Sequence, residues 1–119
     1  MTNVLDKIIE DKKEFLKKIK KTISFDTIEN KIKSLNNFLN FKEVIANNTS
    51  VSLITEIKKA SPSAGELVKD FNHLNIAKMY VDNGATCLSV LTEEKHFLGK
   101  LDYIRDIKNK FKIPVLAKD

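Results

Sequence analysis

The sequence predicts an α/β fold, with an amino-terminal helical extension at residues 1–50 and strands that alternate with helices at residues 51–119. Two observations favour this class. Before residue 50, apolar residues recur at three- and four-residue spacings, which is typical of amphipathic helices. After residue 50, short apolar runs alternate with segments of helical periodicity. Strands joined by helices pair in parallel through right-handed crossovers, so a parallel sheet is expected.

Two helices are predicted in the amino-terminal segment. The first covers residues 3–22 with Asn3 as its cap, and Asp26 with Glu29 forms a capping box for the second. Apolar residues then continue to Ile45, and the polar run at residues 47–50 connects to the first strand. We expect the apolar stripe of the first helix to dock on a core; it consists of Leu5, Ile8, Ile9, Leu16, Ile19 and Ile23.

Three strands are predicted after residue 50, at residues 51–58, 86–91 and 113–118. The second is apolar without interruption, which is typical of a parallel strand covered on both faces. A helix capped by Asn72 covers residues 72–83 and stops before Gly84, and another covers residues 101–111. Cys87 lies in the second strand, where a small buried side chain is expected.

The first strand carries an acid and a base near its end. Side chains alternate faces along a strand, so Ile54, Glu56 and Lys58 share one face. An unpaired buried charge is costly, so Glu56 and Lys58 either form a structural ion pair or face a cavity that binds a ligand. Pro62 then ends the strand, because it cannot donate to a ladder. The small residues that follow suit a mobile loop able to contact an anionic group.

Composition limits the function classes. The chain has 119 residues, enough for one domain with a core, and its net charge is +5. Arg105 is its single arginine, and lysines read bases and phosphates less specifically than arginines, so a nucleic-acid module driven by the lysine-rich first helix is a minor alternative. His73 and His96 have no second ligand type at metal spacing, so no metal site is expected. The start lacks a secretory signal, and no run of about 18 apolar residues occurs, so a cytoplasmic location is expected.

Several unlinked motifs occur in order along the chain: an opening at residues 5–13, then EIKKASPSAG at 56–65, GA at 84–85, LSVLTE at 88–93, HFLG at 96–99 and PVLAKD at 114–119. In their order and spacing these motifs resemble the indole-3-glycerol phosphate synthase family, and the opening is similar to that of its bacterial members. The resemblance covers essentially the whole chain, and agreement among several motifs is more specific than any one of them. Phosphoribosylanthranilate isomerase, the nearest alternative among phosphate-binding barrels, lacks the Glu-x-Lys-x-x-Ser-Pro-Ser run that begins at Glu56.

The resemblance implies a (β/α)₈ barrel, an architecture of about 250 residues with its active site at the carboxyl ends of the strands. This chain would hold the amino-terminal helices and the first three parallel strands of such a barrel. The implied reaction closes the ring of 1-(2-carboxyphenylamino)-1-deoxyribulose 5-phosphate, with loss of carbon dioxide and water, in tryptophan biosynthesis. The implied partner is therefore a small phosphorylated substrate, with no organic cofactor, no metal, no nucleic acid and no membrane.

The resemblance also implies roles for five residues. Lys118 would be the general acid, Lys58 a second cation that engages the anionic groups of the substrate, and Glu56 the carboxylate that orients both lysines. Ser61 would help to bind phosphate, and Phe97 would pack on the aromatic ring of the substrate.

Two departures from the family pattern shape the expected activity. The phenylalanine that follows Lys-Asp in the family motif is absent after Asp119, and the family's general base and second phosphate grip come from later strands. We therefore expect the 119-residue chain to be an amino-terminal portion of the enzyme that is inactive alone. The alternative is a noncatalytic half-barrel that associates with itself, or with a separate second half, through its open sheet edge.

Overall fold

The computed structural model describes residues 3–119. The chain divides into two compact units, with the boundary between Phe38 and Leu39; the predicted boundary at residue 50 stays a prediction. The helices and strands, in chain order, are α1 (Val4–Thr22), α2 (Phe25–Lys33), α3 (Phe41–Ala46), β1 (Ile54–Ile57), β2 (Ala60–Ser61), β3 (Gly65–Glu66), α4 (His73–Asp82), β4 (Cys87–Leu91), α5 (Asp102–Lys110) and β5 (Val115–Lys118).

The first unit contains α1 and α2, and each begins at a capping side chain. The Asn3 side chain accepts from the Asp6 N–H at 2.8 Å, which confirms the predicted first helix and its cap. The second helix starts two residues earlier than predicted. Its cap is Ser24, whose Oγ accepts from the Thr27 N–H at 3.1 Å, so the capping box expected at Asp26 is wrong. Asp26 lies in the first turn, where its negative charge interacts favourably with the positive end of the helix dipole.

The apolar stripe of α1 is not buried. Leu5, Ile9 and Leu16 are 62%, 42% and 43% exposed, and no described side chain of α1 is fully buried. Within the first unit this stripe is therefore not covered, and its docking on a core stays a prediction.

The second unit opens with α3, which the sequence did not predict as a separate helix. Asn40 caps it by accepting from the Glu43 N–H at 3.1 Å. With only six residues, α3 is too short for helical periodicity to identify.

A three-stranded parallel sheet forms the centre of the second unit, in the order β1-β4-β5. All five residues of β4 are buried, as predicted for a strand covered on both faces. The outer strands are shorter than predicted: β1 begins at Ile54, while Val51 is 93% exposed and lies outside the ladder. The register pairs Glu56 with Ser89 and Leu91 with Lys118.

One face of this sheet packs against α4 and α5, both of which were predicted. Asn72 caps α4, as expected, by accepting from the Asn75 N–H at 3.0 Å. The two helices also contact each other, because His73 Nε2 lies 3.0 Å from Asp106 Oδ2 and the His73 ring stacks on Tyr103 at 4.3 Å. Burial of apolar surface between helices and sheet provides the main stabilisation. The core consists of Ile57, Ala77, Leu88, Val90, Ile107 and Ile113.

The segment predicted as a mobile loop after β1 contains a short hairpin. Here β2 and β3 pair antiparallel, with Ala60 opposite Glu66 and Ser61 opposite Gly65. Gly65 has φ +68°, a left-handed conformation that glycine adopts without steric cost. Two expectations are therefore corrected. The main strand ends at Ile57 and not at Pro62, which lies in the turn between β2 and β3, and the chain here pairs with itself for two residues on each side.

Neither a membrane-spanning helix nor a metal-binding cluster occurs in the described part of the chain. None of its helices combines the length and apolar character that a bilayer span requires. No group of three or more His, Cys, Asp or Glu side chains there could hold a metal ion. The cytoplasmic location stays a prediction.

Candidate active site

Glu56 is the centre of a charged cluster on the sheet face opposite α4 and α5. Because side chains alternate along each strand, the register places Glu56 of β1, Ser89 of β4 and Lys118 of β5 on this same face. Lys118 Nζ lies 3.0 Å from Glu56 Oε2. This ion pair crosses the central strand and joins the two outer strands.

Lys58 completes the cluster from the residue that follows β1. Its Nζ lies 3.4 Å from Glu56 Oε1, so each oxygen of the carboxylate contacts a different ammonium group. The side chains of Glu56, Lys58 and Lys118 are 31%, 33% and 53% exposed. The structure therefore brings together the three charged residues that the sequence singled out. It leaves both ammonium groups within reach of a ligand from solvent.

The environment of Glu56 favours its ionised form. Burial alone would raise the pKa of the Glu56 carboxyl, but hydrogen bonds and charge attraction, first from Lys118 and then from Lys58, outweigh burial and lower the pKa below its ordinary value of 4.5. Near neutral pH the cluster is therefore one carboxylate between two amines.

Two neutral residues that the sequence reasoning missed also fix Glu56. The Ser89 hydroxyl donates to Glu56 Oε2 at 3.3 Å, and the Tyr80 hydroxyl of α4 donates to the Glu56 carbonyl oxygen at 3.1 Å. Ser89 is only 5% exposed, and a buried hydroxyl needs a partner. The sequence did contain a signal for Ser89, because it is the polar residue within the otherwise apolar run of β4.

Thr92, a further residue that the sequence reasoning missed, binds the backbone of Lys118, the general-acid candidate. Its N–H and its hydroxyl both donate to the Lys118 carbonyl oxygen, at 2.8 Å and 3.1 Å. The side chain is buried, with 7% exposed. Two bonds to one carbonyl fix the end of β5 against the end of β4, so the Lys118 side chain starts from a defined position.

Ser61 and Phe97, the predicted substrate-binding residues, lie in the segments that follow β1 and β4, Ser61 in the hairpin strand β2 and Phe97 in a loop. The Ser61 hydroxyl accepts from the Ala64 N–H at 3.2 Å, within the hairpin. Phe97 is half-buried in the loop after β4, where its N–H donates to Glu93. Among residues 3–119, no hydrogen bond or ring contact joins either side chain to Glu56, Lys58 or Lys118. The structure thus places both after strands that carry the cluster, without a hydrogen bond or ring contact to it.

The arrangement fits acid catalysis on an anionic substrate. An ammonium group supplies a proton to a developing oxyanion and attracts carboxylate or phosphate, and a fixed carboxylate keeps two ammonium groups close despite their repulsion. All three lie at the carboxyl edge of a parallel sheet, which is the edge where open and closed α/β sheets bind their ligands.

The chain matches the family model described as indole-3-glycerol phosphate synthase over residues 5–119. The chain belongs to the indole-3-glycerol phosphate synthase family. The recognition made from its motifs is therefore confirmed. The fold of this family is the (β/α)₈ barrel, and the described residues contribute helices and three parallel strands, with no closed barrel among them.

Curated relatives bear the same family name. The chain is 44% identical over 116 residues to the indole-3-glycerol phosphate synthase of Desulforamulus reducens, and this match covers 98% of the chain and 44% of the relative. It is 44% identical over 117 residues to that of Clostridium acetobutylicum, with coverages of 98% and 44%. The match to the Aliarcobacter butzleri protein is 42% over 119 residues, covering 98% and 45%. The chain thus spans less than half the length of the synthase-family relatives that it matches.

Proposed function

We propose that this chain supplies the general acid and its supporting charges to an indole-3-glycerol phosphate synthase. The substrate would be 1-(2-carboxyphenylamino)-1-deoxyribulose 5-phosphate, and the reaction would close an indole ring with loss of carbon dioxide and water. The observation that carries the proposal is the contact of Glu56 with both Lys58 and Lys118, at 3.4 Å and 3.0 Å, at the carboxyl edge of the sheet. Family membership supports the choice of reaction.

In the proposed mechanism Lys118 is the general acid. The aromatic carbon that bears the carboxylate attacks the ketone carbon, and the Lys118 ammonium group gives a proton to the ketone oxygen as the new carbon–carbon bond forms. Loss of carbon dioxide then restores the aromatic electrons of the ring and leaves a hydroxyl on the former ketone carbon. This hydroxyl takes a second proton, which Lys58 supplies, and leaves as water, while the neighbouring CH₂ carbon gives up a proton as the double bond of the indole forms. One proton is consumed overall, because the carboxylate leaves as neutral carbon dioxide. A proton donor at the ketone oxygen lowers the barrier because negative charge develops there.

Lys58 and Glu56 support this step. Lys58 attracts the anionic groups of the substrate and assists proton transfer, while Glu56 holds both ammonium groups at a fixed separation. The lowered pKa of Glu56 supports its role as a permanent counter-charge, because a carboxyl that stays ionised does not compete as an acid. Ser61 would help to bind the phosphate, and Phe97 would pack on the aromatic ring.

We also propose that the 119 residues are inactive by themselves. Three strands provide only part of the ring of loops that forms a barrel active site, and the chain spans 44% of the Desulforamulus reducens relative. The test incubates the purified chain with the substrate and follows the fluorescence of the indole product. The chain has no tryptophan, so protein indole fluorescence does not mask the signal. Product formation well above a buffer control would refute the proposed inactivity.

The activity itself can be tested in a chimera, in which this chain replaces the matching 116-residue segment of the Desulforamulus reducens relative. We expect the chimera to form indole-3-glycerol phosphate and its Lys118→Ala variant to lose that activity. Lys112→Ala, which changes an exposed lysine near the start of β5, is the matched control. A chimera that folds but has no activity, or one that Lys118→Ala leaves unaffected, would overturn the proposed function.

A second candidate function is noncatalytic association through the sheet edge. Among residues 3–119, β5 pairs with β4 on one side only, and its Leu116 is 47% exposed. An unpaired parallel edge with an exposed apolar side chain can add another strand. Sedimentation velocity of the purified chain tests this: a concentration-dependent dimer supports association, and a monomer at all concentrations excludes it.

A further inference from the structure

We infer that Glu93 is a positioning residue, which fastens the loop after β4 and thereby presents Phe97 at the carboxyl edge of the sheet. The second half of this inference rests on the proposed function, in which Phe97 packs on the aromatic ring of the substrate. The first half rests on the contacts of Glu93 alone. Neither the family motif nor the sequence pattern gives this residue a role.

The carboxylate of Glu93 is the common acceptor of the loop. One oxygen accepts from the Lys95 N–H at 3.1 Å, and the other accepts from the N–H groups of His96 at 2.6 Å and Phe97 at 2.9 Å. Glu93 is 6% exposed, so these bonds are shielded from water. Three backbone donors outside any helix or strand are satisfied by one side chain.

A carboxylate is well suited to this arrangement. It presents acceptors on both oxygens, whereas an amide of the same size would direct an NH₂ group at backbone donors. Bonds from N–H groups to a charged acceptor are shorter and stronger than neutral ones, and a backbone donor left without a partner in a shielded site is costly. The loop therefore depends on the charge of Glu93 as well as on its shape.

The far end of the loop is anchored to the same strand. The Gly99 N–H donates to the Glu93 carbonyl oxygen at 2.7 Å. A Cβ atom at Gly99 would lie 2.2 Å from the Leu91 carbonyl oxygen, so the loop backbone packs directly on β4. Between the anchors, Leu98 has φ +53°, a left-handed conformation that costs a non-glycine residue about 1 kcal/mol. Such a conformation persists only where surrounding contacts impose it.

Two adjacent residues thus connect β4 to both halves of the candidate site. Thr92 fixes the backbone of Lys118 through two hydrogen bonds, and Glu93 fixes the backbone of Phe97. The end of β4 therefore sets the position of the general-acid candidate relative to that of the ring-binding candidate. A change at Glu93 would move Phe97 while leaving Lys118 in place.

The first test measures amide hydrogen exchange in the full 119-residue chain by NMR. Glu93→Gln and Glu93→Ala are compared with Glu94→Gln, which changes the exposed neighbouring carboxylate. We expect protection at Lys95, His96 and Phe97 to fall about tenfold or more in Glu93→Ala, less in Glu93→Gln, and not at all in the control. The N–H of Thr92, bonded to Lys118, reports the sheet and should keep its protection. Unchanged protection at residues 95–97, or an equal loss at Thr92, would overturn the inference.

The second test measures steady-state kinetics of the same variants in the chimera. If Glu93 acts through Phe97, Glu93→Gln should raise KM about tenfold with little change in kcat, as should Phe97→Ala, and the double variant should resemble Phe97→Ala alone. Additive effects of the two changes would overturn positioning through Phe97. If exchange changes as expected but neither Phe97→Ala nor Glu93→Gln alters the kinetics, Glu93 fastens the loop and the proposed role of Phe97 is wrong.

Discussion

Lys118 Nζ lies 3.0 Å from Glu56 Oε2, although the two residues are 62 positions apart in the chain. The same oxygen accepts the Ser89 hydroxyl at 3.3 Å. One carboxylate oxygen therefore joins all three strands of the parallel sheet, and the predictions below test what that oxygen does.

Replacing the general-acid candidate should remove activity without unfolding the protein. In the chimera, Lys118→Ala is expected to lower kcat by about 10²-fold or more, since general acid catalysis contributes roughly 10²–10⁴-fold. Stability should change by about 1 kcal/mol or less, because the Lys118 side chain is 53% exposed and exposed ion pairs contribute little. Turnover assays and urea denaturation measure the two effects. Normal kcat in a folded Lys118→Ala variant would exclude Lys118 from the mechanism.

Neutralising the central carboxylate should leave two ammonium groups without their counter-charge. We expect Glu56→Gln to lower kcat by about 10-fold or more, since the lysines then repel each other and lose their fixed positions. The matched control is Glu66→Gln, which removes a carboxylate paired with Lys59 at 3.8 Å on the neighbouring hairpin. Equal losses in the two variants would point to a general charge effect and contradict the assigned role of Glu56.

The contribution of Glu56 to stability should depend on pH. Its pKa is lower in the folded protein than its ordinary value of 4.5, so folding favours the ionised form. The resulting stabilisation is present above that ordinary value and is lost as the pH falls through the lowered pKa. Urea denaturation of the wild-type chain and Glu56→Gln, from neutral pH down to about pH 3, should therefore show a difference that shrinks on acidification. A difference that grows on acidification would contradict the direction of the shift.

The Ser89 hydroxyl should matter for catalysis more than for folding. Ser89→Ala removes one donor to Glu56 Oε2, while Lys118 and Lys58 still satisfy the carboxylate. The expected result is a fall in kcat/KM of about 3- to 10-fold, equivalent to the roughly 0.5–1.5 kcal/mol of a single hydrogen bond. Ser63→Ala, at an exposed position of the hairpin loop, is the control. An unchanged kcat/KM for Ser89→Ala would show that the other contacts suffice to hold Glu56.

Gly99 should tolerate no side chain. A Cβ atom there would lie 2.2 Å from the Leu91 carbonyl oxygen, and the obstacle is backbone, which cannot rotate away. Gly99→Ala should therefore destabilise the chain by roughly 1–3 kcal/mol, the usual range for overpacking. Gly84→Ala is the comparison, because a Cβ atom at Gly84 meets no atom within 4 Å. Any loss of stability in Gly84→Ala therefore comes only from the φ of +88°, which an alanine rarely adopts. Denaturant midpoints that fall equally in both would contradict a steric cause at Gly99.

The sequence predicted the elements that have strong local signals. The periodicity after Asn3, the Asn72 cap and the apolar run of β4 were sufficient for α1, α4 and the central strand. Short elements were missed, because two-residue strands and a six-residue helix have no detectable period. At the second helix, Ser24 and Asp26 are both good caps, and the local sequence does not decide between them.

The candidate site was predictable only in part from the residues themselves. Alternation along β1 puts Glu56 and Lys58 on one face, and that inference needs no knowledge of the remaining fold. The approach of Lys118 to Glu56 depends on the strand order β1-β4-β5. The hydrophobic pattern of the individual strands does not specify this order, so the expectation that Lys118 joins the site came from the family resemblance. The Ser89 and Glu93 hydrogen bonds depend on register and loop geometry, which are fixed only once the strands pair.

Because β4 lies between β1 and β5, the bond from Lys118 to Glu56 has a consequence for folding. Neither outer strand can bring its charge to the other until the middle strand has paired on both sides. We therefore expect the cluster of Glu56, Ser89 and Lys118 to form only once all three strands have paired in register, so that its ion pair reports a completed sheet.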